Sequence, residues 1–156
     1  MQETILIQTD FRPESLILVK TAIQNNLKAK LDIVLVHGVH MTDSITDLLF
    51  YSRHKMLQKV SNDLFTTGLD ELRQTFAANI NSLRVELFTG FNQAAFNNFL
   101  EANKVSQIFV APDYVFANKS KYSRDLSHFI NKSVSRKVEI SWSMPSEPFA
   151  RLALTR

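Results

Sequence analysis

Asp10 stands where the apolar run Ile5-Leu6-Ile7 gives out, a lone acid before Phe11-Arg12-Pro13. Such a carboxylate can accept a ligand's hydroxyl or amino group, or it can cap backbone amides in the turn leading into Pro13. His37 and His40 form a His-x2-His at the exit of a second apolar run. A metal would need a third ligand, for which only Asp43 is near, so His37 is read as capping a strand end. Lys119, Lys121 and Arg124 form a small cluster of cations, with Asp113 opposing them. Side-chain cations can hold an anionic ligand by charge, although on loops they are more often solvated. Ser15, Ser120 and Ser123 lie in no nucleophile elbow, and no His–acid pair stands at a strand end. Asp10 also lacks the acidic neighbour and the later acceptor aspartate of a phosphoacceptor domain. With no cysteine anywhere, disulfides, thiolate metal sites and cysteine nucleophiles are excluded. The expectation is that the chain is not an enzyme.

Five strands and intervening helices must position these residues. Strands are read at Thr4–Gln8, Asp32–Val36, Leu83–Phe88, Gln107–Ala111 and Val138–Trp142. The second and fourth are continuous Val/Ile-rich runs, as in central strands covered on both faces. The third alternates apolar and charged residues and suits an edge. Pro13 opens a first helix carrying Leu16, Val19, Ile23 and Leu27. The longest insert, 43–80, reads as one helix with Ile45, Leu48, Leu49, Met56 and Val60, then a break at Gly68, then a shorter helix from Asp70 with Leu72, Phe76 and Ile80. A third helix opens at Asn92 after Gly90, and a fourth runs from Ser123 to Lys132. Phe88, Phe96, Phe99 and Phe109 read as core, whereas Phe91 could be exposed to a partner. Alternating strands and helices imply an α/β protein with parallel strands and right-handed crossovers.

The loop after the fourth strand is unusual for such a sheet. In open α/β sheets a ligand's phosphates normally sit at this kind of loop, wrapped by backbone. From Pro112 to Arg124 there is no glycine.

In this order and spacing the chain resembles the universal stress protein family. Ile5-Leu6-Ile7-Gln8-Thr9-Asp10-Phe11 with Glu14-Ser15 is similar to the family's opening strand, aspartate and first helix. Ile33-Val34-Leu35-Val36-His37 resembles its apolar strand ending in histidine, and Gly90 matches a characteristic glycine. The resemblance covers roughly residues 3–142. It implies a Rossmann-like open five-stranded parallel sheet of order 3-2-1-4-5 with helices on both faces, and a tendency to dimerise. The chain's own pattern adds a domain over 1–142 with 43–80 as an insert, and a turn-rich tail, 143–156, whose Phe149, Leu152 and Leu154 could dock on the domain or a partner.

Many family members bind ATP through Gly-x2-Gly-x9-Gly followed by Ser or Thr. Here Pro112 takes the first glycine position and Val115 the second, and the third falls between Tyr122 and Asp125, where only Ser123 echoes the hydroxyl. A side chain forced into a glycine-only conformation costs roughly 1–3 kcal/mol, and about 1.4 kcal/mol is tenfold in affinity. ATP binding in the family manner is therefore not expected. The candidate ligand set is Thr9, Asp10, Phe11, Val36, His37, Pro112, Asp113, Lys119, Lys121, Ser123 and Arg124. It would take ATP or another adenine nucleotide in a modified way, or another small anionic ligand. The last strand puts Val138, Ile140 and Trp142 on one face, a candidate homodimer interface.

Composition sets the remaining bounds. At 156 residues, 45% hydrophobic and 21% charged, the chain reads as one globular domain with a real core. Its apolar runs are too short to span a bilayer, and Met1-Gln2-Glu3-Thr4 lacks a basic leader, so a cytoplasmic protein is expected. Residues 1–113 carry ten Lys/Arg against twelve Asp/Glu, and residues 114–156 eight against three. A basic last third could attract nucleic acid, but no recognition motif accompanies it. The leading expectation is a non-enzymatic stress-related regulator or sensor acting through dimer or partner contacts.

Overall fold

The computed structural model describes residues 2–40, 63–117 and 123–142. Along the chain run β1 (Gln2–Gln8), a 3-10 turn (Pro13–Ser15), α1 (Leu16–Gln24), β2 (Lys30–Val39), α2 (Asp63–Thr75), β3 (Ile80–Phe88) and α3 (Gln93–Ala102). They are followed by β4 (Gln107–Val110), β5 (Ser123–Arg124), α4 (Ser127–Lys132) and β6 (Arg136–Glu139). The sheet order is β3-β2-β1-β4-β6, and every neighbouring pair on this path is parallel. Numbered among the parallel strands alone, this is the expected 3-2-1-4-5.

Residue alternation along the strands divides the core in two. Ile5, Ile7, Ile33, Leu35 and Phe109 point to one face, against α1 and α2 through Leu16, Val19, Ile23, Phe65, Leu69 and Leu72. Leu6, Val34, Val36 and Ile108 point to the other, against α3 and α4 through Phe96, Leu100 and Ile130. This period-two division is what parallel strands covered on both faces require. Each fully buried Leu, Ile or Phe contributes roughly 1.5–3 kcal/mol by leaving water. Phe88, Phe96, Phe99 and Phe129 form a ring cluster beneath α3 and α4. Asn92 caps α3, its side chain accepting the Ala95 amide at 2.9 Å.

Several local expectations are corrected. Gly68 does not break a helix: it lies inside α2 on the buried face with Phe65, Leu69 and Leu72. A glycine there costs about 1 kcal/mol relative to alanine, which a packed amphipathic helix absorbs. Leu27 is exposed because α1 ends at Gln24. Ser123 and Arg124 do not start a helix but pair antiparallel with Val39 and Gly38. The last strand is Arg136–Glu139 and not Val138–Trp142. Val138, Ile140 and Trp142 share a face, but it is the inner one: Ile140 is buried, and Val138 and Trp142 pack against the first core cluster. The Trp142 indole also donates to the Glu14 carbonyl at 3.0 Å. Ile140 therefore serves the domain's own core, and Val138 and Trp142 are partly committed to it. Phe91 is exposed at the end of β3. The first part of the insert, with Ile45 to Val60, and the tail from 143 lie outside the described residues. Among the described residues, no helix is long and apolar enough to cross a membrane.

Candidate functional site

The sheet order changes direction between β1 and β4, so the carboxyl ends of these strands border the crevice where open α/β sheets bind ligands. Asp10 emerges there from β1 and is 1% exposed. Arg12 closes back on it, donating its backbone amide to Oδ1 at 3.1 Å and its Nε to Oδ2 at 2.8 Å. The loop after β4 supplies the rest. The Tyr114 hydroxyl lies 3.0 and 2.9 Å from the two carboxylate oxygens, and the Ala117 amide donates to Oδ2 at 2.9 Å. Arg12 then reaches across to the Val115 carbonyl at 2.5 Å. The reading of Asp10 as a cap on backbone amides is the one this network displays. Asp10 organises the turn before Pro13, and its remaining lone pairs go to the chain's own loop.

That loop shows what replaces the missing glycines. Pro112 and Asp113 make a tight turn closed by the Tyr114 amide on the Ala111 carbonyl at 3.1 Å. Proline suits the first central position of such a turn and leaves the backbone of 114–117 directed at Asp10. Tyr114 is buried edge-on against Trp142 and Phe116, with the Arg12 guanidinium 5.2 Å above its ring. Burial raises the Tyr114 pKa, and the Asp10 charge raises it further, so the phenol stays a donor at neutral pH. Burial pulls Arg12 down, but its hydrogen bond and charge pairing with Asp10 outweigh that and raise its pKa.

Thr9, Phe11 and Ser15 brace the turn. The Ser15 hydroxyl donates to the Arg12 carbonyl at 2.8 Å, so the Thr9 hydroxyl is the donor in the 2.8 Å Thr9–Ser15 bond. Thr9 Oγ1 in turn accepts the Phe11 amide at 3.1 Å. Phe11 has φ 62°, a left-handed conformation that costs a phenylalanine of order 1–3 kcal/mol. Its ring sits in the core against Phe65 and His37, at 5.1 and 4.7 Å between centroids. Val36 is fully buried, and its carbonyl accepts the Thr9 amide. Neither Phe11 nor Val36 presents a side chain to the crevice.

His37 joins three segments. Its Nδ1 is 2.8 Å from the Thr9 carbonyl, which can only accept, so Nδ1 carries the proton. Burial lowers the ring's pKa, against the raising influence of that carbonyl and of Asp10. In the neutral ring, Nε2 therefore accepts from the Ser123 hydroxyl at 2.9 Å. Ser123 is brought there by β5, which lies so close to β2 that a Cβ on Gly38 would collide with the Arg124 carbonyl oxygen and stand 2.6 Å from Leu126 Cδ2. Only glycine admits this crossing. Arg124 turns inward: it donates to the Gly90 carbonyl and lies over the Phe129 and Phe88 rings at 5.2 and 5.9 Å. Burial lowers its pKa.

Of the expected ligand set, the structure gathers Thr9, Asp10, His37, Ser123 and Arg124 around the carboxyl ends, but engages each with protein groups. Pro112 and Asp113 are exposed at the loop's outer turn. Lys119 and Lys121 lie outside the described residues. His40 is exposed at the exit of β2. Sequence reasoning missed Arg12, Tyr114 and the Ala117 amide as partners of Asp10. Asp10-x-Arg12-Pro13 carried a signal for the turn, whereas nothing near Tyr114 announced a contact across 104 residues.

No protein-family model matches the chain, and no curated protein matches it by sequence. Solved structures do. A universal stress protein in complex with cAMP superposes with a TM-score of 0.51 at 19% identity, covering 90% of this chain and 98% of that one. The universal stress protein UspA from Lactobacillus plantarum gives 0.51 at 10% identity, covering 88% and 97%. The hypothetical protein MJ0577, subject of a structure-based functional assignment, gives 0.56 at 12% identity, covering 90% and 96%. At these identities the likeness establishes a shared fold, that of universal stress protein structures.

Proposed function

We propose that this chain is a divergent, non-enzymatic member of the universal stress protein group whose nucleotide crevice is filled by its own loop. One observation carries the reading: the Asp10 carboxylate is saturated by Arg12, the Tyr114 hydroxyl and the Ala117 amide. A ribose or adenine would have to break bonds to a buried carboxylate, and truncating such a network leaves unpaired charge costing several kcal/mol. The Ser123–His37 pair holds β5 in place and performs no chemistry. Output runs through protein contacts in the cytoplasm, including pairing of the open β6 edge with a second copy.

The test is a thermal-shift titration with ATP, AMP and cAMP, with and without magnesium. A ligand at a hundred times its Kd stabilises by about 2.7 kcal/mol, a readily measured rise. The expected result is no shift at millimolar ligand; a concentration-dependent rise overturns the reading. The cAMP complex of the structural neighbour favours a second reading, in which a nucleotide displaces the loop. Tyr114→Ala separates the two. If a nucleotide competes with Tyr114 for Asp10, this variant binds more tightly than the parent.

A further inference from the structure

A cleft of about 330 Å³ opens beside the filled crevice, on the β4–β6 side, at the lower end of the range for small-molecule sites. Phe109, Tyr114, Phe116, Ile130 and Leu18 line its apolar part, and Gln8, Ser127, Asn131 and Glu139 its polar part. Gln8 is the informative residue. It is 5% exposed, and its Oε1 accepts the Leu126 amide at 2.5 Å, which fixes the orientation of the side-chain amide. The Nε2 of Gln8 then has no hydrogen-bond partner among the described residues, although it carries two donor protons. That nitrogen is not fully enclosed, and because Gln8 lines the cleft it offers its protons there. Among the described residues no Lys, Arg or His lines the cleft, whereas Glu139 contributes a carboxylate.

We infer that this cleft binds a compact, uncharged aromatic amide or lactam. Its carbonyl would accept from Gln8 Nε2, its ring would lie among Phe109, Tyr114 and Phe116, and its N–H would face Glu139 or Asn131. The same lining disfavours phosphates and carboxylates, because Glu139 repels them and no cation among the described lining residues answers them. This site does not use Asp10 but shares Tyr114 and Phe116 with the loop, so it rests on the reading in which that loop fills the crevice.

Matched pairs of probes test it on the full chain. Benzamide and benzoate differ chiefly in charge, as do indole-3-acetamide and indole-3-acetate. Saturation-transfer NMR is expected to show at least one amide bound and its carboxylate at least about tenfold weaker, the effect of one lost hydrogen bond plus repulsion. Asn131→Trp, an exposed substitution at the mouth, should abolish the signal while the fold persists. Gln8→Met should weaken the amide about tenfold, and Glu139→Gln should narrow the gap within each pair. Lack of transfer from both amides overturns the assignment. So does equal binding of amide and carboxylate, or a signal that survives Asn131→Trp.

Discussion

At the scale of single residues, the site is governed by which groups have been desolvated together. His37 is the most consequential. Its ring is buried and neutral, donating to the Thr9 carbonyl and accepting from Ser123, so protonation would turn Nε2 into a second donor with that hydroxyl still before it. Because the folded-state pKa lies below the ordinary value of 6.5, the unfolded chain binds more protons in the interval between the two. The stability tied to neutral His37 is therefore fully present above 6.5 and is lost as pH falls through the folded-state value. Urea unfolding at a series of pH values from 7.5 down to 5 should show a decline approaching about 1.4 kcal/mol per pH unit. His37→Gln should flatten it, and identical profiles for parent and variant would exclude His37 as the source. The sequence made the position of His37 at a strand end legible, but not its partner, because serine and histidine are 86 residues apart.

Among the elements, legibility followed length and periodicity. Each of the five parallel strands, α1 and α3 left a run of apolar residues at period two or 3.6, and each was found with shifted ends, whereas α2 begins before the glycine read as its break. The two-residue β5 left no such run. What betrays it is Gly38, whose absent side chain makes room for the crossing backbone. The last strand was misplaced by two residues because Ile140 and Trp142 continue the apolar alternation beyond the ladder. The Ile140 amide still bonds the Val110 carbonyl, but Trp142 has left the strand to pack on Tyr114. The outer edge of β6 is unpaired among the described residues, and its Lys137 ammonium folds back onto the Ser133 and Ser135 carbonyls. An edge without an outward-reaching lysine is a poor barrier to strand addition. Sedimentation velocity at micromolar concentration should accordingly report a dimer, which Glu139→Pro should weaken, because the Ile140 amide faces β4 and that of Glu139 therefore faces the outer edge. A monomer throughout that range rejects pairing by this edge.

For the whole molecule, the fold could be read in the sequence because parallel α/β order follows from alternation, whereas the closed crevice could not, because distant pairs seal it. Tyr114 meets Asp10 across 104 residues, Leu126 meets Gln8 across 118 and Ser123 meets His37 across 86. Contacts of such separation form only after the intervening chain has been ordered, since loop-closure entropy is lost before they contribute. The β1–β2–β3 half and its helices can assemble earlier, with Asp10 still hydrated. Trp142, which touches Tyr114 at 5.0 Å, reports closure. In refolding experiments its fluorescence should settle after the far-ultraviolet circular dichroism, and coincident single phases would contradict that order. The same sequence of events holds during synthesis. The N-terminal half leaves the ribosome as an open cradle, and the chain seals it only when its own last third arrives.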